Sequence, residues 1–220
     1  DELGFITNAV EGDRILVYDD AAAAFAPLWA GDTTWGATAV ATGIAFGDAD
    51  GDGLDELAVT RNHTINARVF LYDDAVTTPP GFGLLWQYGQ GWGAGSFATG
   101  VAFGNVDDDP AEEIGVTRRA SLNERAYVFD DGGAGFALLR KFGESWAANA
   151  WASAMAFGDI DGDGRDEIGL ARVSTINPRV FVYDDAMPGE GGAAFAQLWG
   201  GGADWPGEFY ATVIAFGNVD

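Results

Sequence analysis

Carboxylates placed at alternate positions are the feature of this chain with the most evident chemistry. Asp48-Ala-Asp50-Gly-Asp52-Gly-Leu54-Asp-Glu56 recurs as Asp159-Ile-Asp161-Gly-Asp163-Gly-Arg165-Asp-Glu167. In such a loop the oxygens of positions one, three and five converge, position seven adds its main-chain carbonyl, and an acid at position nine closes the shell. Gly53 and Gly164, at position six, permit the sharp turn. An all-oxygen set at this spacing selects a hard divalent cation, calcium before zinc or copper. The expected ligands are Asp48, Asp50, Asp52, Leu54 and Glu56 in one loop, and Asp159, Asp161, Asp163, Arg165 and Glu167 in another. Without a cation, so many neighbouring carboxylates repel one another.

A further copy reads Asn105-Val-Asp107-Asp-Asp109-Pro110-Ala111-Glu-Glu113, which makes Asn105, Asp107, Asp109, Ala111 and Glu113 the corresponding ligands. Pro110 stands where glycine is wanted, and its ring fixes φ near −65°. This copy is expected to be distorted or of low affinity.

These loops belong to a tandem repeat, which decides the fold class. Phe-Gly precedes each loop, with Phe at 46, 103, 157 and 216, separated by 57, 54 and 59 residues. Arg14, Arg68, Arg125 and Arg179 each open a short apolar run that ends in two acids. Leu-Trp or Leu-Arg follows, and then Trp35, Trp92, Trp146 and Trp205. Each unit reads as four short strands, typified by Thr99 to Phe103, Glu56 to Thr60, Val69 to Tyr72 and Phe82 to Trp86. The third strand is apolar at nearly every position, so both of its faces should be buried, as radially stacked blades would bury them.

Composition agrees with a packed, turn-rich domain: 48% hydrophobic residues, 20% charged and 33 glycines among 220 residues. The net charge of −23 excludes nucleic-acid binding through a basic surface. Eighteen of the 34 acidic residues lie in or beside the repeated loops, a distribution that suits metal sites. There is no cysteine for disulfides or thiolate zinc, and no apolar stretch long enough to insert in a membrane as a helix.

Phe-Gly followed by Asp-x-Asp-x-Asp-Gly at this period resembles the FG-GAP (integrin-α-like) propeller repeat, which also occurs in fungal and bacterial lectins. The resemblance implies a β-propeller with calcium in the strand-one-to-two hairpins of one face, and ligands on the opposite face or in crevices between blades. The chain departs from that family in having four repeats, where seven are common, and no clear Gly-Ala-Pro element.

The chain ends on Phe216-Gly-Asn218-Val-Asp220, which matches strand one plus loop positions one to three. It opens on Asp1-Glu2-Leu3, positions eight and nine plus strand two. The expected fold is therefore all-β: one propeller domain over 1–220, of four four-stranded blades, with repeats starting near 1, 55, 112 and 166 and the C-terminal strand joining the N-terminal blade. A monomeric ring is favoured; a share of a larger ring, or two chains in an eight-bladed one, are the alternatives.

On the face opposite the calcium loops, Arg and Trp residues collect. Trp35, Trp92, Trp146 and Trp205 are the candidate ligand-binding residues, with plugs between blades as the competing reading. The four repeated arginines are expected to do one structural job, such as pairing with a neighbouring blade's acid. The Asp-Asp pairs are expected to cap turns, and the variable loop residues His63, Asn66, Gln90, Asn123, Glu144 and Asn177 suit specificity. Catalysis has little support, since His63 is the single histidine and the carboxylates are committed to metal. The expected function is an extracellular, calcium-stabilised module binding glycans. The alternative is a structural or adhesive subunit binding a cell-surface or matrix protein.

Overall fold

A computed structural model of the chain describes residues 2–8, 14–20, 24–31, 35, 38–63, 66–73, 82–120, 124–130, 135–186, 194–207 and 209–218. Among these residues every regular element is a strand, and all strand pairing is antiparallel. The first sheet has three strands, β1 (Leu3–Ile6), β2 (Ile15–Tyr18) and β3 (Pro27–Gly31). The second runs β4 (Val40–Gly47), β5 (Glu56–Asn62), β6 (Val69–Tyr72) and β7 (Leu84–Tyr88). The third runs β8 (Phe97–Gly104), β9 (Glu113–Arg119), β10 (Ala126–Phe129) and β11 (Leu138–Phe142). The fourth runs β12 (Trp151–Gly158), β13 (Glu167–Val173), β14 (Val180–Tyr183) and β15 (Gln197–Gly201).

Short β-branched and aromatic runs between Gly, Asp and Pro make these strands, and the strands sit close to where the sequence puts them. The fourth strand of the second sheet is shifted by two residues, to Leu84–Tyr88 in place of Phe82 to Trp86. It pairs from Tyr72 opposite Leu84 to Val69 opposite Tyr88, with a register break between Leu71 and Tyr72, and the Asp73 amide takes the Gly83 carbonyl at the hairpin.

The sheets pack face to face in chain order. Ile15 and Val17 meet Leu57 and Val59, and Ala58, Val69 and Leu71 meet Ile114 and Val116. Ala126 and Val128 meet Ile168 and Leu170. Full burial of one such side chain contributes about 1.5–3 kcal/mol. All four residues of β6 and of β10 are buried, because the second and third sheets have a neighbour on both faces.

Two repeated details set the spacing. A Cβ added at Gly47 would lie 2.3 Å from the Phe103 ring, and one at Gly104 would lie 2.2 Å from Phe157. The glycine of each Phe-Gly is thus required by the phenylalanine of the next. A bulge between the first and second strands breaks register at Ala41/Gly43, Ala98/Gly100 and Ala152/Ala154. It turns Thr42, Thr99 and Ser153 toward the following unit, where their hydroxyls donate to the carbonyls of Ala98 (2.9 Å), Ala152 (2.7 Å) and Ala211 (2.7 Å).

Residues 209–218 take up the same relation to the fourth sheet, through the Ser153–Ala211 bond and Phe216 against Gly158, without regular strand pairing. Leu3 and Phe5 of β1 are exposed, whereas their counterparts Leu57 and Val59 are fully buried. The expected four strands are therefore present in three sheets, and the first sheet has three.

Candidate metal centres and the crevices opposite them

The three loops leave the ends of β4, β8 and β12 and return into β5, β9 and β13, which puts them at one end of their sheets. Asp48, Asp50 and Glu56 have carboxylate oxygens within 4.8 Å of one another, as do Asp159, Asp161 and Glu167. In the middle loop the group is Asp107, Asp109 and Glu113. Asp52 and Asp163 stand outside these groups, their oxygens taking the amides of Leu54 and Arg165. Leu54, Ala111 and Arg165 were expected to act through their carbonyls; their side chains differ in setting, Leu54 exposed, Ala111 buried and Arg165 ion-paired.

The position-nine glutamates anchor each group. Glu56, Glu113 and Glu167 are fully buried as the first residue of a strand. One oxygen of each accepts the position-two amide, from Ala49 at 2.7 Å, Val106 at 2.6 Å and Ile160 at 2.7 Å. The other oxygen, Oε1 in all three, is buried with no hydrogen-bond partner. Desolvation first, and neighbouring carboxylates second, push Glu56 and Glu167 up to about 7 and Glu113 up to about 8. A buried carboxylate oxygen with no donor, facing other carboxylates, fits a cation.

Loop geometry follows the residue at position six. Gly53 (φ +91°) and Gly164 (φ +97°) are left-handed and donate their amides to Asp48 and Asp159 at 3.0 and 3.1 Å. Pro110 has no amide to give. There position one is Asn105, which donates its own Nδ2 to the Asp109 carbonyl at 2.5 Å. The expected distortion is thus real in path, yet three carboxylates still converge, because Asn105 and Pro110 depart from the pattern together.

Three groups join the centres that spacing alone did not single out. Acids at position eight clasp the preceding loop: Glu112 accepts the Asp48 amide at 3.1 Å and gives its own amide to the Asp48 carbonyl at 2.7 Å. Asp166 does the same with Asn105, at 3.0 and 2.6 Å. The Asp-Asp pair after β14 turns toward the loops, so that Glu167, Asp184 and Asp185 form a further group within 4.8 Å. Arg165 bridges this region, through Asp185 at 2.8 Å, Asp108 at 3.1 Å and Asp163. An acid at every position eight and a repeated Asp-Asp after strand three were the signals available in the sequence. Asp74 and Asp131 lie outside the described residues.

At the opposite end, the repeated arginines have the single structural job expected of them, with different partners. Arg14, Arg68, Arg125 and Arg179 are almost wholly buried, and the bonds described for them run to main-chain carbonyls of their own sheet's loops. Arg68 reaches His63, Asn66 and Gly89; Arg125 reaches Ala150; Arg179 reaches Ser174 and Trp205. Through these bonds the guanidinium forks hold loop carbonyls together.

Trp35, Trp92 and Trp146 lie against the next sheet, with ring centroids 5.3 Å from Phe70, 5.6 Å from Tyr127 and 5.3 Å from Phe181. A second arginine lies on each indole: Arg61 at 4.9 Å, Arg118 at 4.6 Å and Arg172 at 4.9 Å. Trp35 is buried, Trp92 and Trp146 are half-buried, and Trp205 is 41% exposed. Their packing gives the inter-sheet role a direct observation and leaves Trp205 as the most accessible of the four. No protein-family model matches this chain, and no curated protein matches it either.

Proposed function

We propose that this chain is an extracellular, calcium-stabilised β-propeller of the FG-GAP type whose role is binding, with glycans as its ligands. The observation that carries the calcium part is the orphaned, fully buried Oε1 of Glu56, Glu113 and Glu167, each within a three-carboxylate group. Asp48, Asp50 and Glu56 would hold one ion, Asp107, Asp109 and Glu113 a second, and Asp159, Asp161 and Glu167 a third. A bound ion would neutralise the loops and, by binding only the native chain, stabilise it. Rigid sheets then present the opposite crevices, lined by indoles and guanidinium groups, in a fixed array.

A propeller is supported by the serial face-to-face stacking and by residues 209–218 standing where a further first strand would stand. Pairing of that segment with β1 would close the ring. Glycan binding is supported by aromatic rings next to polar forks, which hold a sugar by stacking and hydrogen bonding together. A glycan array probed with calcium and again with chelator tests the proposal. Calcium-dependent capture of a related set of sugars is the expected result, and silence from folded protein rejects it.

One observation favours a second reading, a structural or adhesive subunit. Apolar side chains are uncovered on both outermost units, among them Phe5 at 47%, Trp199 at 56% and Val213 at 78% exposure. On this reading a protein covers them, and the solution mass would exceed the 23.1 kDa of one chain.

A further inference from the structure

The crevice between the second and third sheets is, we propose, a pocket for a small acidic sugar: one polyhydroxylated ring bearing a carboxylate. This rests on the glycan-binding reading and gives it a location and a ligand class. The space measures about 300 Å³ and lies at the end of the sheets away from the metal loops. That is the lower bound for small-molecule sites and suits a single sugar ring.

What distinguishes this crevice is its departure from the repeat. Strand register puts Lys141 opposite Tyr127, where the second sheet has Gln87 opposite Phe70 and the fourth has Gly200 opposite Phe181. The residue before the repeated arginine is Glu124 here, and Ala67 or Pro178 in the neighbours. The fold requires none of these three changes, because the second and fourth sheets pair and pack without them. Together they bring an ammonium, a carboxylate and a phenol to a boundary whose two counterparts lack all three.

The groups are mutually arranged. Lys141 Nζ donates to Glu124 Oε1 at 2.8 Å, with the two side chains 38% and 19% exposed. Arg61 and Arg172 are each flanked by two rings, whereas Arg118 lies over Trp92 and donates to the Tyr127 hydroxyl at 2.5 Å. Two cations therefore face one carboxylate. Behind them Arg68 and Arg125 are held below their usual basicity, by burial first and by Arg118 next, which marks how closely positive charge is gathered here. In a chain of net charge −23 this is a cationic point. Physiological salt screens exposed charges beyond ~8 Å, so the acidic loops at the far end do not cancel it.

Each wall then has a task. The half-buried rings of Tyr88 and Trp92 line the space and would meet the C–H side of a sugar. Glu124 accepts and exposed Gln90 donates to hydroxyls, and Lys141 pairs with the ligand carboxylate. A neutral sugar leaves the ammonium unused, and a simple carboxylate leaves the rings unused.

The test titrates sodium glucuronate, glucose and acetate in parallel into the calcium-loaded chain, read by calorimetry and by the Trp92 and Tyr127 NMR signals. Glucuronate should saturate and shift both signals, binding about tenfold more tightly than glucose, the worth of one charge-assisted contact. Acetate should not saturate. Lys141→Gln should remove that advantage, Lys141→Arg should keep it, and Gln87→Ala at the neighbouring boundary should change nothing. Equal affinity for glucose and glucuronate would overturn the carboxylate assignment. No saturable shift with any probe, from protein with an unchanged melting temperature, would overturn the pocket even where the array is positive. An array silent for folded protein that still binds glucuronate would instead reject the wider reading.

Discussion

At the loop end of the sheets the repeat is kept almost residue for residue, and at the crevice end it is kept only where an arginine or tryptophan holds the backbone. Asp48 to Glu56 and Asp159 to Glu167 match at every acidic position. The middle loop preserves a convergent carboxylate group even while exchanging Asp for Asn and Gly for Pro. Opposite, the residues beside the same arginine change from Ala67 to Glu124 to Pro178. The difference teaches which end is constrained by stability. A buried carboxylate cluster is unfavourable unless all of its parts are present, so its sequence cannot drift; a crevice rim open to water can.

Removing divalent cation is the strongest way to break this contrast. Each ion held at a hundredfold over its Kd contributes about 2.7 kcal/mol, and 1 kcal/mol moves the melting temperature by roughly 2–4 °C in a domain of this size. Excess chelator should therefore lower the melting temperature by roughly 5–10 °C for each loop that binds. An unchanged melting curve would reject the metal assignment.

Next in size are the groups that hold the crevice end. Trp35→Ala should cost about 3–5 kcal/mol, as expected for a buried aromatic, whereas Trp205→Ala should cost under about 1 kcal/mol. Urea midpoints of the two variants decide it, and equal losses would show that the outermost tryptophan is covered in solution.

The pH dependence sharpens the comparison in a metal-free sample. Glu56, Glu113 and Glu167 titrate near 7 to 8 in the folded chain, against an ordinary value of 4.5. The native state thus binds more protons than the unfolded one over that range, and stability falls as pH rises from about 4.5 to 8. Stabilisation by added calcium should grow over the same interval, since cation and proton compete for the same oxygens. Glu113→Gln should flatten the slope of the metal-free protein, and thermal melts at stepped pH would show it.

The smallest effect concerns coupling between loops. Glu112 sits between two expected ligands of the middle loop while its carboxylate and amide hold Asp48 of the preceding one. Calcium binding should be mildly cooperative, with a Hill coefficient above 1, and Glu112→Ala should return it to 1. Calorimetric titration reads this, and an unaltered coefficient would mean that the loops fill independently.

Much of this was legible in the chain. Alternating carboxylates with glycine at position six fix a loop by local geometry, and short apolar runs between turn residues fix strands, so the loops and four-strand units could be located from spacing alone. Less accessible were effects that arise between units. Thr42 carries no sign in its own segment that a bulge will turn it onto the Ala98 carbonyl. Nor does Glu112 announce that it serves the loop before its own.

The sequence by itself determined the repeat, the carboxylate pattern of its acidic loops and the identity of the core strands, because a repeat is plain recurrence along the chain and the loops and strands depend on residues within about ten positions of one another. Only the tertiary structure decided which glutamate oxygens are buried without a donor, and that the repeated arginines bind carbonyls. It also decided that Lys141, Glu124 and Arg118 share one crevice with Trp92 of the preceding sheet. Burial and charge pairing are properties of surfaces brought together by packing, and packing joins units more than fifty residues apart.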